Sequence, residues 1–204
     1  GGGTIETIVS NDMDNLACDW SKDGRVILVQ RTKGSGLANS DLWLYFLQEK
    51  KEVPWLDSPF VEREGRFSPD QRWIAYASRE RGRSNQLFVE PFPATGAKYL
   101  VSKSTEDAHH PVWSPDGGQI YYTPGPGNRS IAVTVTFTPA VSFGSPRILE
   151  RPFTNLASSS DRPYDMMPDG KHFLAVTDPL GADTALGTIV MALNWFEELK
   201  ARTR

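Results

Sequence analysis

The stretch that decides the fold runs from His110 to Tyr122 and reads His-Pro-Val-Trp-Ser-Pro-Asp-Gly-Gly-Gln-Ile-Tyr-Tyr. Its centre, Ser114-Pro115-Asp116-Gly117, predicts a tight turn. Proline presets φ at the first central position, aspartate can hydrogen-bond its own backbone, and glycine tolerates a positive φ. The residues before the turn, and the apolar and aromatic run after it, are typical of β-strands. The stretch therefore predicts a β-hairpin.

The same hairpin pattern occurs four times along the chain. The aspartates of its four turns are Asp23, Asp70, Asp116 and Asp169. They lie about 46 to 53 residues apart, a period that suits a propeller blade of four antiparallel strands. Because an aspartate recurs in every copy and can cap its own turn, we expect these four residues to have a structural role in the turn and not a catalytic one.

The four copies resemble the WD-like propeller repeat of TolB and related bacterial proteins. That family carries the signature Trp-Ser-Pro-Asp-Gly at the turn between the first two strands of each blade. The third copy matches the signature in full from Trp113 to Gly117, and the other copies depart from it at single positions or pairs, for example with Gln71 in place of glycine. The resemblance covers nearly the whole chain and implies a β-propeller. It implies little about function, because propellers host many unrelated tasks.

We expect an all-β propeller of four-stranded antiparallel blades in a single domain. The predicted blades span about 16–57, 63–102, 109–150 and 162–193, and a short C-terminal helix is predicted at 195–202, after an N-cap at Asn194. The fourth blade lacks a predicted last strand, whereas Thr4–Val9 predicts a spare strand that could complete it. Two arrangements stay open: a closed four-bladed ring, and a half-propeller whose homodimer completes an eight-bladed ring.

Composition limits the partners. Of the 204 residues, 39% are hydrophobic and 23% are charged, as in ordinary globular domains. The net charge of −3 does not favour a nucleic acid or an anionic membrane, and no apolar run is long enough to insert into a membrane. The single cysteine, Cys18, excludes an internal disulfide and is expected to be a buried structural thiol. The start at Gly1-Gly2-Gly3, without an initiator methionine, suggests a partial chain. The resemblance alone favours the bacterial periplasm or another extracytoplasmic location.

Candidate site residues lie in the segments that enter each first strand, where a propeller has the mouth of its central channel. An acidic residue recurs in all four segments, and arginine or histidine lies near it in the last three. The predicted channel-mouth residues are Asp14, Glu62, Arg63, Asp107, His109, His110, Asp161 and Arg162. They could form a rim that holds a peptide, a cation or a small anion, or they could simply be solvated loop side chains. Because adjacent histidines on a strand point to opposite sides, we expect no metal and no cofactor.

Catalytic motifs are scarce in this sequence. It has no Gly-x-Ser-x-Gly elbow, no zinc-ligand spacing of cysteine and histidine, and no phosphate-binding glycine loop. His172 is expected to be a histidine of the core. We therefore predict a non-catalytic scaffold that binds a protein or peptide at the channel mouth, as the resemblance to TolB-like domains and to propellers fused to bacterial serine/threonine kinases implies. The alternatives are the propeller of a prolyl-oligopeptidase-like hydrolase without its catalytic domain, and a recombined propeller fragment.

Overall fold

The computed structural model describes residues 5–34, 39–56, 58–102, 107–150 and 162–175. In these ranges the chain forms antiparallel β-sheets and no α-helix. The predicted all-β class is therefore confirmed. The predicted C-terminal helix at 195–202 lies outside the described residues, as do residues 176–193 of the predicted fourth blade. Within the described ranges, no helix is long and apolar enough to cross a membrane.

The first two repeats each form a four-stranded sheet in which neighbours along the chain pair with one another. Sheet one contains β1 to β4, which span Asp14–Trp20, Val26–Thr32, Ser40–Phe46 and Lys51–Leu56. Sheet two contains β5 to β8, which span Glu62–Phe67, Trp73–Ser78, Gln86–Pro91 and Tyr99–Leu100.

The third repeat has the same topology with a divided outer edge. Sheet three contains β9 to β13, which span Ala108–Trp113, Gln119–Pro124, Arg129–Thr136, Ser142–Phe143 and Arg147–Glu150. Both β12 and β13 pair with β11. The described part of sheet four is the pair β14 (Tyr164–Met166) and β15 (Phe173–Ala175). The first strands of successive sheets contact one another: β1 contacts β5, β5 contacts β9, and β9 contacts β14. These four strands are called the inner strands below.

The turns between the first two strands of all four sheets share one backbone geometry. In each turn an N–H donates to the carbonyl oxygen three residues earlier, and the donor residue has a positive φ. The donor and acceptor pairs are Gly24 to Ser21, Gln71 to Ser68, Gly117 to Ser114 and Gly170 to Met167. In the first three turns the serine hydroxyl also donates to the turn aspartate. The fourth turn has no serine, and there the His172 ring bonds Asp169 at 2.6 Å.

Apolar side chains fill the spaces between successive sheets. The cluster between sheets one and two is built mainly on Leu28, Leu42, Ile74, Tyr76 and Phe88. The cluster between sheets two and three is built mainly on Ala75, Leu87, Val89, Trp113, Ile120 and Val133. The signature tryptophan, Trp113, also donates its Nε1 hydrogen to the carbonyl oxygen of Arg66 at 3.2 Å, so that it joins these two sheets by packing and by a hydrogen bond.

The N-terminal segment differs from its prediction. Residues 5–9 form no strand, so the predicted strand at Thr4–Val9 is wrong over the part that the structure describes. Val9 packs against Ile27, Val29 and Tyr45 on the face of sheet one that lies away from sheet two. The segment alternates only weakly between apolar and polar residues, and Ile5 is almost fully exposed. The described contact of this segment with sheet one is therefore apolar packing by Val9 and not strand pairing.

Candidate functional site

The inner strands β5 and β9 each carry a bulge at the same position of the repeat. In β5 the pairing shifts between Arg63 and Arg66, and in β9 it shifts between His109 and Val112. The shift leaves one extra residue in the inner strand, which bends the strand and redirects its side chains. Glu64 and His110 occupy these bulges with φ values of 59° and 54°. Such left-handed backbone is uncommon for residues other than glycine.

Hydrogen bonds from neighbouring sheets hold both bulges. The N–H of Glu64 donates to Oε1 of Gln30 in sheet one at 3.1 Å. The N–H of His110 donates to the Glu64 carboxylate, and the hydroxyl of Tyr164 in sheet four donates to the His110 carbonyl at 2.9 Å. These hydrogen bonds therefore form a chain through Gln30, Glu64, His110 and Tyr164, with one residue from each of the four sheets. This chain of hydrogen bonds fixes the two bulges relative to one another.

The bulges bring three metal-ligating side chains together. Nδ1 of His109 and Nδ1 of His110 lie 2.7 Å apart, and Nε2 of His110 lies 3.4 Å from Oε1 of Glu64. One ligating atom from each of the three residues lies within 4.8 Å of the others. The expectation that adjacent histidines point to opposite sides is wrong here, because the left-handed backbone at His110 interrupts the alternation of the strand. We call Glu64, His109 and His110 the Glu–His–His cluster.

The ionisable side chains of this cluster are largely shielded from water. Both histidine side chains are fully buried, and 13% of the Glu64 side chain is exposed. Burial raises the pKa of the Glu64 carboxyl to about 7, although the nearby Arg63 charge and the His110 N–H both favour the ionised form. Glu64 sits six residues before its turn aspartate, as His110 does. This shared position is the signal that could have added Glu64 to the predicted site residues.

Arg63 is a buried cation beside the cluster. Its side chain is 1% exposed, and Nε lies 3.9 Å from Oε1 of Glu64. None of its three guanidinium nitrogens has a hydrogen-bond partner among the described residues. Burial lowers the pKa of Arg63, while the charges of Glu64 and Asp107 act in the opposite direction. Arg63 was predicted at an exposed rim, but the structure places it inside strand β5.

Glu62 is also a strand residue and not part of an exposed loop. It is buried, and its carboxylate accepts a hydrogen bond from the Ser58 hydroxyl. Burial raises the pKa of Glu62 to about 7. The charges that act on it come from Asp41, Lys98 and Glu80, a different set from those around Glu64. The structure therefore does not bring Glu62 into the Glu–His–His cluster.

The other predicted channel-mouth residues have separate environments. Asp107 is half-buried and accepts hydrogen bonds from the backbone and side-chain nitrogens of Asn85, so that it fastens the start of β7. Arg162 is largely buried and donates to the Pro111 carbonyl and to Asp165, at 3.0 Å each. Asp14 is exposed at the start of β1, and Asp161 lies outside the described residues.

Two further observations concern a histidine whose predicted environment is wrong and an ion pair that was not predicted. His172 is exposed and bonded to Asp169, so the prediction of a core histidine is wrong. An ion pair that the sequence did not indicate joins Arg66 of β5 to Asp19 of β1, with Nη1 and Oδ1 at 3.3 Å. Both residues lie four positions before their turn aspartates, again a shared register.

Comparisons with known proteins point to one fold. No protein-family profile matches the chain. The uncharacterized peptidase YuxL of Bacillus subtilis is 33% identical over 90 residues, which are 41% of this chain and 13% of that protein. Among solved structures, a protein assigned as TolB from Agrobacterium tumefaciens has a TM-score of 0.64 at 16% identity, over 86% of this chain and 64% of that chain. TolB from Acinetobacter baumannii has a TM-score of 0.50 at 16% identity, over 72% and 35%.

These likenesses show a TolB-like β-propeller fold, as the sequence predicted. A blade of that fold is a sheet of antiparallel strands, and the four sheets are therefore called blades one to four below. The chain spans less than two thirds of the length of each of these similar proteins.

Proposed function

We propose that this chain is a non-catalytic propeller module that binds a protein or peptide partner at the charged surface of its inner strands. We define this inner-strand surface as Asp19, Arg66, Arg162 and Asp165, which come from blades one, two and four. The observation that carries the proposal is that oppositely charged side chains from separate blades meet here while staying partly accessible. Asp19 and Arg66 are each about a quarter exposed, and Asp165 is mostly exposed.

Electrostatics support a shared surface and not isolated pairs. Burial, together with the like charge of Arg66, lowers the pKa of Arg162 to about 10, although the charges of Asp165 and Asp19 act in the opposite direction. Arg162 and Arg66 are therefore close enough to repel one another. An acidic side chain or a terminal carboxylate of a partner would relieve this repulsion, and two arginines can bind carboxylates in a bidentate manner.

The test is selection of ligands from a random-peptide phage library on the immobilised chain. The affinity of a selected peptide is then measured by fluorescence anisotropy. Removing a hydrogen bond to a charged group costs about 1.5–3 kcal/mol, so we expect Arg66→Gln to weaken binding by about 10- to 150-fold. Arg25→Gln is the matched control, because Arg25 is an exposed arginine in the first turn. Failure to select any peptide, or equal weakening by both variants, would count against the proposal.

A second candidate function is the substrate-gating propeller of a peptidase whose catalytic domain is outside this chain. The specific support is the 33% identity to a Bacillus subtilis peptidase over 90 residues. The natural coding sequence decides between the two: a hydrolase domain directly downstream of the propeller would favour the peptidase alternative. In that case the chain by itself should not hydrolyse a chromogenic peptide substrate.

Assembly as a homodimer is part of the proposal. Large apolar side chains are exposed at both ends of the row of blades, with Leu16 and Trp20 on β1 and Phe173 and Leu174 on β15. A head-to-tail dimer would bring such ends together and double the inner-strand surface. Light scattering on a sizing column would then give twice the chain mass of 22.7 kDa, whereas a monomer mass would exclude the eight-bladed arrangement. The number of blades in the native ring and the extracytoplasmic location stay predictions.

A further inference from the structure

We propose that the Glu–His–His cluster binds a divalent transition metal, with zinc as the best fit. Two imidazoles and one carboxylate are a ligand set that zinc uses in proteins. The proposal does not depend on partner binding, because these residues are distinct from the inner-strand surface. It concerns a site whose donors come from two adjacent blades, Glu64 from β5 and both histidines from β9.

The distances fit the metal. Two ligands of a tetrahedral zinc ion, at bond lengths of about 2.0–2.1 Å, lie about 3.3 Å from one another. Nε2 of His110 and Oε1 of Glu64 are 3.4 Å apart. His109 supplies the third donor within 4.8 Å of the others. No large rearrangement is therefore needed for a metal to contact both blades.

Ligation by both histidines requires the contact between them to open. The 2.7 Å contact between Nδ1 of His109 and Nδ1 of His110 contains one proton. A neutral imidazole has one N–H and one lone pair, so the ring whose Nδ1 accepts this hydrogen bond carries its own proton on Nε2. Rotation of one ring would break the contact and allow each imidazole to present one lone pair to a metal.

The backbone around the donors is held in advance of binding. Glu64 and His110 both have left-handed φ values, which cost of the order of 1–3 kcal/mol each and tend to occur where a site requires them. Gln30 and Tyr164 hold these two residues from the flanking blades. The partial exposure of the Glu64 side chain provides an entry path for an ion from solvent.

Nearby charges decide which ions are suitable. The groups that act on Glu64 are the cations Arg63 and Arg162 and the anion Asp107. Two cations near a site with one carboxylate ligand disfavour hard ions such as Mg²⁺ and Ca²⁺, which rely on several charged oxygens. Imidazole donors favour zinc, copper and nickel. The site should therefore discriminate strongly in favour of Zn²⁺ over Mg²⁺.

The experiment uses the full chain after treatment with a chelator. Zn²⁺ binding is measured by isothermal titration calorimetry, and Co²⁺ binding is measured by visible absorption. We expect one metal per chain, together with the intense visible bands of four- or five-coordinate Co²⁺. Glu64→Gln should weaken Zn²⁺ binding by about 100-fold, since loss of even an outer contact costs 10- to 100-fold. His172→Gln is the matched control, because His172 and Asp169 form an exposed histidine–carboxylate pair, and it should leave the affinity unchanged.

Several results would overturn the proposal. They are absence of Zn²⁺ binding by the wild-type chain, a Co²⁺ spectrum identical to that of the free aqueous ion, and equal loss of binding in the His172 and Glu64 variants. Circular dichroism shows whether Glu64→Gln folds. If it does not, the wild-type Co²⁺ spectrum decides. Peptide affinity is measured separately, so failure of the metal site and failure of the proposed partner binding can be told apart.

Discussion

Gly65 permits the close approach between the first two blades, and its replacement by alanine is the sharpest test of how they pack. A Cβ atom at this position would lie 2.4 Å from Cδ2 of Leu28 and 3.3 Å from Cδ1 of Leu42. Contacts between carbon atoms are normally about 3.5–4.0 Å. Both leucines are fully buried in the core between blades one and two. The added methyl group therefore has no space without movement of the core.

The expected cost of Gly65→Ala follows from this overlap. Inserting a methyl group into a packed core typically destabilises a protein by about 1–3 kcal/mol. For a chain of this length, each kcal/mol lowers the melting temperature by roughly 2–4 °C. We therefore expect thermal unfolding, followed by circular dichroism, to occur about 2–12 °C lower than in the wild type. The free energy of unfolding from urea titration should fall correspondingly.

A double-mutant cycle with Leu28→Ala separates overlap from other effects. Leu28→Ala alone should cost about 2–5 kcal/mol by leaving a cavity. That cavity is where the new methyl group would lie, so the double variant should be more stable than the sum of the two single effects by about 1–3 kcal/mol. If the two effects add within about 0.5 kcal/mol, or if Gly65→Ala is as stable as the wild type, the close packing of these blades is refuted.

Four further predictions concern single side chains. Trp113→Ala should lower the free energy of unfolding by about 3–5 kcal/mol in urea, and a cost under 1 kcal/mol would contradict its packing between blades. Gln71→Gly should raise the melting temperature, since left-handed backbone costs other residues roughly 1–2 kcal/mol and Gln71 has a φ of 59°; an unchanged or lower value would refute this. Burial raises the pKa of Cys18 from 9.0 to about 11, so its reaction with a disulfide reagent at pH 8 should be about 100-fold slower than in urea, and equal rates would show an accessible thiol. Asp107→Ala should cost about 1–3 kcal/mol because Asn85 loses its acceptor, whereas no loss would support the exposed loop that the sequence predicted.

The repeat and its turns could be predicted because they depend on local chemistry. Proline, aspartate and glycine each favour one position of the turn, and the structure repeats the same turn hydrogen bonds even where Gln71 replaces glycine. Counting back from the turn aspartate predicted entry-loop residues, whereas Glu62, Arg63 and His109 lie within the inner strands β5 and β9. The count did not predict burial, because whether Arg63 or His109 faces solvent depends on the neighbouring blade and not on the residue type. The N-terminal strand was wrong for the same reason, since strand pairing needs a partner that the local pattern does not specify.

The bulges explain why the candidate site was the least predictable part. Strand alternation has a period of two residues, and one extra residue reverses which face the following side chains occupy. β1 also has irregular pairing, between Ala17 and Asp19, so the bulge itself belongs to the repeat. Within the described residues, however, only β5 and β9 among the inner strands use a left-handed residue other than glycine. Blade architecture alone does not require that strain, because β1 accommodates its irregular pairing without it. The strained residues are Glu64 and His110 themselves, the two bulge residues of the Glu–His–His cluster. This is the pattern expected if the local geometry has been selected for what these side chains bind.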